Sequence, residues 1–137
     1  MNVFVLDASV ASSWVFPDEF DPIAENARIA LRDGDTALTP AIWWYELRNT
    51  LVVGERRLRL NIHASEQFLA ALGSFDIRVH PLPANAEPLF ELARRHKLSF
   101  YDAAYLALAI AEGAPLATLD KALAKAAERE GVELLAP

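Results

Sequence analysis

Apolar positions along this chain group in two ways. NVFVL (2–6) is a continuous apolar run, the pattern of a strand covered on both faces. Shorter strand-like runs, each with a polar residue, fall at 36–38 (TAL), 77–79 (IRV), 115–118 (PLAT) and 133–135 (ELL). Longer amphipathic stretches lie between them, predicting helices at 8–15, 22–33, 40–56, 62–73, 84–96, 100–112 and 120–129. Start signals support several of these. Thr39-Pro40 reads as a cap followed by a first-turn proline, Asn61 as the cap of the fourth helix, and Ser99 with Asp102 as a capping box. Gly34, Gly73, Gly113 and Gly131 stand where helices should stop.

Strands alternating with helices predict an α/β domain, a mostly parallel sheet with helices on both faces. Right-handed crossovers put every strand's C-terminal end on one edge, where open sheets of this kind bind ligands. The first strand, the most apolar, should be central. It ends on Asp7, whose carboxylate would then project into the crevice.

At 137 residues one domain, 1–137, is expected, with enough length for a core. The composition, 53% hydrophobic and 23% charged, is that of a globular chain. A net charge of −6 gives no global basic footprint for nucleic acid, leaving a local strip or bound cations as the routes to an anionic partner. Without cysteine there is no disulfide scaffold, thiolate metal site or cysteine nucleophile. The longest apolar helical run, 103–111, is about half the ~20 residues of a membrane span, and no signal peptide is apparent. A cytoplasmic protein is expected.

Four carboxylates stand out. Asp7, Asp102 and Asp120 each sit at a predicted helix start on the same sheet edge, and each has a capping reading. Thr118 is a second candidate cap for the last helix. Glu46 differs. Counted from Thr39-Pro40 it lies nearly two turns into its helix, with Ile42, Asn49, Thr50 and Val53 on its side. A carboxylate on a largely apolar stripe is costly unless paired, with Arg48 or solvent as the plain alternative. Gathered in one crevice, such acids repel by about 4 kcal/mol per pair at about 4 Å and an effective dielectric near 20. Protons or divalent cations must relieve this. Oxygen-only ligands suit Mg²⁺ or Mn²⁺, which can activate water against phosphate.

The stretches LDAS (6–9), PAIWWYELRNTL (40–51), SFYDAAYLALA (99–109) and LATLD (116–120) give the chain a resemblance to PIN-domain ribonucleases, and among them to VapC-type toxins of toxin–antitoxin systems. The resemblance spans essentially the whole chain. It implies a three-layer fold around a five-stranded parallel sheet ordered 3-2-1-4-5, flanked by about seven helices. It also implies an acidic site for Mg²⁺ or Mn²⁺, endonucleolytic cleavage of RNA, a small antitoxin partner and a homodimer. Carried over, the acids are Asp7, Glu46, Asp102 and Asp120. Asp7 and Asp102 would hold the principal metal, with Ser9, Thr118 and Asn49 in support.

Other features are ambiguous. Arg56, Arg57 and Arg59 could hold an RNA backbone or form a solvated helix end, as could Arg94, Arg95 and Lys97. Trp14, Phe16, Trp43 and Trp44 read as core, with a partner groove as the alternative. Asp18, Glu19 and Asp21 read as solvated, and His63, His80 and His96 share no ligand spacing. Rival functions are a receiver or phosphatase-like phosphoryl-transfer domain, and a binding module holding a structural cation. The phosphatase pattern wants D-x-D where Ser9 stands, and neither phosphoryl-transfer class accounts for Glu46. A dinucleotide fold lacks its G-x-G-x-x-G.

Overall fold

The computed structural model describes residues 2–137. Four parallel strands, β1 (Val3–Leu6), β2 (Thr36–Pro40), β3 (Asp76–His80) and β4 (Leu116–Ala117), form one sheet in the order β3-β2-β1-β4. The seven helices are α1 (Ala8–Ser13), α2 (Pro22–Arg32), α3 (Trp43–Arg56), α4 (Ile62–Leu72), α5 (Glu87–His96), α6 (Phe100–Glu112) and α7 (Lys121–Arg129). All five residues of β2 and the last three of β1 are buried, so both faces of the sheet centre are covered. α6 packs on β1 and β2, with α5 and α7 against it, while α1 joins α2 and α3.

The core explains why α6 carries so apolar a sequence. Ala103, Ala104, Leu106 and Ala109 are buried along it, and Tyr105 is wholly enclosed. Small residues let the helix lie close to the strands, where Leu6, Leu116 and Ala117 meet it in one buried cluster. Trp43 and Leu47 of α3 complete the cluster from the next helix. Trp14 anchors α1 to α2 by donating its indole N–H to Ala24 O at 2.8 Å.

Three expectations are corrected. The sheet has four strands, not five. The segment at 133–135 does run beside β4, but it makes a single parallel bridge, Leu116 to Leu134, because β4 is two residues long and templates no more. Thr39-Pro40 does not open a helix. β2 continues through both residues, pairing Thr39 with Val79 and Pro40 with His80, and α3 starts at Trp43 behind Ile42. A proline closing a strand keeps an extended φ and loses little by lacking a donor there. Finally, α5 begins at Glu87 rather than 84, after the proline-rich stretch 81–83.

Most caps agree with the sequence. Asn61 accepts from Ala64 N at 2.7 Å, and Ser99 accepts from Asp102 N at 3.0 Å. Gly113 ends α6 with a left-handed φ of 60°, which glycine adopts without strain. Asp21, read as solvated, caps α2 by accepting from Ile23 N at 2.8 Å. Among the described residues no helix is long and apolar enough to cross a membrane.

A candidate active site of four carboxylates

Asp7 leaves β1 and takes the N-cap position of α1, yet its side chain makes no capping bond. Its Oδ2 instead accepts from Ser9 Oγ at 2.6 Å and from Thr118 Oγ1 at 2.7 Å. Both hydroxyls are themselves held, Ser9 Oγ by Leu119 N–H and Thr118 Oγ1 by Asp120 N–H, each at 3.0 Å. The ends of β1 and β4 are therefore stitched together around a carboxylate that is only 4% exposed. A capping role does not account for such a group.

Asp120 does cap. It accepts from Leu123 N at 2.9 Å to start α7, and Thr118, the other candidate cap, turns its hydroxyl to Asp7. Asp102 is the third residue of α6, its backbone N–H bound by Ser99. Because α3 starts at Trp43, Glu46 lies in its first turn rather than two turns in. The favourable end of the helix dipole thus contributes to its tolerance there. Arg48 does not pair with it, and stacks on Trp44 at 5.1 Å instead. The partner of Glu46 is Tyr105, whose hydroxyl donates to Oε1 at 2.5 Å. Tyr105 went unnoticed in the sequence. The signal was its spacing, three residues after Asp102, which puts both on one side of α6.

The charges of these groups act on one another. Burial raises the Asp7 carboxyl above the ordinary aspartate value, hydrogen bonds from Ser9 and Thr118 oppose this, and the charge of Asp120 adds to it. Burial also raises Glu46 against its bond from Tyr105, with Asp7 and Asp102 pushing the same way. Asp102 is pushed up to about 6, by burial first and then by the charges of Asp7 and Asp120. Burial and then Glu46 lift the Tyr105 hydroxyl far above the usual tyrosine range, so it remains a donor.

The four acids are thus coupled by charge without forming a closed cage. Among the described residues no three acidic or imidazole groups stand close enough to enclose an ion alone. The donors these acids offer are all oxygens, the chemistry that Mg²⁺ and Mn²⁺ prefer.

An open groove of ≈ 490 Å³ lies between α1 and α3, with Glu46 the one of the four acids that lines it, beside Ser9, Ser12, Phe16, Asn49 and Thr50. Asn49 and Thr50 therefore share the Glu46 side, as the helical wheel predicts. Of the basic cluster, Arg59 is committed to Asp18 and Glu19, at 3.1 and 2.9 Å, and lies over the Phe16 ring. Arg56 and Arg57 are exposed, with no ion pair among the described residues. Arg95 pairs with Glu91 and Glu130, His96 with Glu130, and His80 lies near Glu112.

Comparison with known proteins bears on this geometry. The family model of the PIN domain matches residues 4–129. Ribonuclease VapC3 of Pyrobaculum aerophilum is 34% identical over 123 residues, covering 88% of this chain and 92% of that protein. Among solved structures, PAE2754 from Pyrobaculum aerophilum superposes with a TM-score of 0.71 at 22% identity, covering 91% of this chain and 84% of that one. VapC20 of Mycobacterium tuberculosis, a sarcin-ricin loop cleaving toxin, gives 0.63 at 21% identity, covering 91% and 95%. These two likenesses concern the fold.

Proposed function

The chain belongs to the PIN-domain family, and on that premise we propose that it is a metal-dependent endoribonuclease, the toxin of a toxin–antitoxin pair. The observation that carries the proposal is a hydroxyl-clamped, buried Asp7 whose charge opposes those of Glu46 and Asp102 across the crevice. A structural role alone gives no reason to assemble repelling carboxylates from β1, α3, α6 and the start of α7. Divalent-metal dependence relieves that repulsion, with Mg²⁺ or Mn²⁺ as the expected ion.

In this reading Asp7 and Asp102 hold the ion, and Glu46 and Asp120 complete the site. A bound ion supplies Lewis-acid polarisation of a phosphate oxygen and a more acidic water. Ser9 and Thr118 fix the direction of the Asp7 carboxylate. Tyr105 holds one oxygen of Glu46, leaving the other free to orient water. Asp120, fixed by Leu123 N–H through one oxygen, presents its charge to Asp7 and Asp102. Of the basic cluster, Arg56 and Arg57 are left free to meet an RNA backbone. A phosphatase-like reading is disfavoured because Ser9, in the second acid's place, serves Asp7 as a donor. A small antitoxin and a second copy of the chain are the proposed protein partners, in the cytoplasm.

The purified chain, freed of any co-purifying protein, should cut RNA internally with Mg²⁺ or Mn²⁺ and be silent in excess chelator. Asp7→Asn should reduce cutting at least ~100-fold, the scale on which a preorganised electrostatic group acts, with the far-ultraviolet circular dichroism unchanged. Full cutting in chelator, or by the Asp7→Asn protein, would remove the proposal. Mn²⁺ binding without cleavage of any RNA would favour the non-catalytic binding module.

A further inference from the structure

The groove between α1 and α3 opens directly on Ser9 and Glu46 and extends to Phe16 and Glu19. Its ≈ 490 Å³ falls within the about 300–1,000 Å³ usual for small-ligand sites. Charge decides which part of an RNA can lie there. The two charged groups that line it, Glu46 and Glu19, are both carboxylates, no Lys or Arg is among the lining residues, and Arg59 is held by Asp18 and Glu19. The lining thus offers a phosphate no free cation, whereas a neutral sugar or base needs none.

The walls offer neutral hydrogen-bonding groups. Ser12 Oγ donates across the groove to Thr50 Oγ1 at 3.4 Å. That is long for a hydroxyl pair, whose bonds centre near about 2.7–2.8 Å, so a ligand hydroxyl could replace it at little cost. Thr50 Oγ1 in turn donates to Glu46 O at 3.2 Å, tying it to the turn that carries Glu46. Asn49, one turn beyond Glu46, is exposed and makes no side-chain hydrogen bond among the described residues. The Phe16 ring is buried with Arg59 4.0 Å above it, so it forms an apolar end rather than a free stacking surface.

We propose that this groove is a nucleoside subsite, in which Ser12, Asn49 and Thr50 read the ribose 2′-hydroxyl of a nucleotide next to the scissile phosphate. The inference rests on the ribonuclease reading and adds to it the basis for preferring RNA over DNA. A 2′-hydroxyl both donates and accepts, matching the Ser12–Thr50 pair and the Asn49 amide. In hydrolysis by water the 2′-hydroxyl is not a reactant, so its removal reports recognition and not chemistry.

The test uses a short single-stranded RNA with one cut site, and versions carrying a single 2′-deoxy nucleotide at each position flanking the cut. The wild-type chain with Mn²⁺ should lose about tenfold in kcat/KM at one flanking position, mainly through KM. In Ser12→Ala, Thr50→Val and Asn49→Ala that ratio should fall toward one. Asn49 is exposed, so its variant keeps the test alive if either of the others folds poorly. Binding of the same oligonucleotides to the cleavage-deficient Asp7→Asn protein, by fluorescence anisotropy, should show the same preference and its loss in the double variants. A deoxy penalty that persists unchanged in all three variants, or no penalty at either position, overturns the subsite. Failure of the ribonuclease reading looks different: no cutting of the all-RNA strand, or products ending in a 2′,3′-cyclic phosphate, which would make the 2′-hydroxyl the nucleophile.

Discussion

The hydroxyl of Tyr105 donates to Glu46 from a side chain with no exposed surface. A neutral donor that cannot ionise at working pH is suited to hold a carboxylate without neutralising it. Hydrogen bonds to charged groups contribute about 1.5–3 kcal/mol, more than neutral ones. Tyr105→Phe keeps the ring and the packing of α6 but frees Glu46 to rotate. Its kcat/KM on RNA should drop about tenfold, the Mn²⁺ concentration for half-activation should rise, and the fold should stay intact by circular dichroism. Wild-type metal activation in the Phe variant would reduce Tyr105 to a packing residue. Ser9 and Thr118 illustrate the same logic at Asp7, where two hydroxyls bound to the backbone of β4's exit aim one oxygen. In the sequence the place of these two hydroxyls beside the site came only from the family resemblance, Thr118 otherwise reading as a cap. Tyr105 was hidden among apolar neighbours, because its polar end matters only once α3 brings Glu46 to it.

Among the four acids Asp120 alone caps a helix with its side chain, so at α7 a structural task and a site role meet in one residue and can be separated. Asp120 caps the helix with one oxygen and lends its charge to the crevice. Asn caps as well as Asp, while Ala loses about 1 kcal/mol. Asp120→Asn should therefore melt no lower than the wild type yet lose most RNA cleavage, whereas Asp120→Ala should lose cleavage and melt about 3 °C below Asp120→Asn. Equal melting of the two variants would mean the cap bond contributes nothing. The same overlap of roles limits what the sequence could say. A parallel sheet with β1 at its centre, and most helix spans, followed from apolar runs and caps, whereas the strand order came only with the family resemblance. The start of α3 did not, because Thr-Pro suits both a helix entry and a strand exit, and only pairing with β3 decides between them. The fifth strand failed for a related reason. ELL is strand-like, but the strand it would extend is two residues long.

Over the whole molecule, the acids set a conflict between folding and function that pH and metal should expose. Asp7, Glu46 and Asp102 all hold their protons more tightly in the folded chain than ordinary carboxyls do. The folded state then binds more protons than the unfolded one, so metal-free stability falls as pH rises. For Asp102 the fall spans the ordinary value of 3.8 to about 6, and above that the penalty is complete. Asp102 is part-exposed, and with solvent screening its share is about 1 kcal/mol, or about 3 °C in melting temperature. Asp102→Asn should thus melt higher than wild type at pH 7.5 in chelator, and no higher at pH 4. Mn²⁺ acts on the same groups in the opposite direction, since it binds the ionised, folded crevice. At about 100 times its dissociation constant it adds about 2.7 kcal/mol. Calorimetric melting with and without Mn²⁺ at pH 4.5 and 7.5 should show a rise of several degrees at the higher pH and almost none at the lower. In Asp102→Asn the rise should shrink. A metal effect of equal size at both pH values would place the ion elsewhere on this acidic chain, because only carboxylates still protonated at pH 4.5 must release protons before they can bind it.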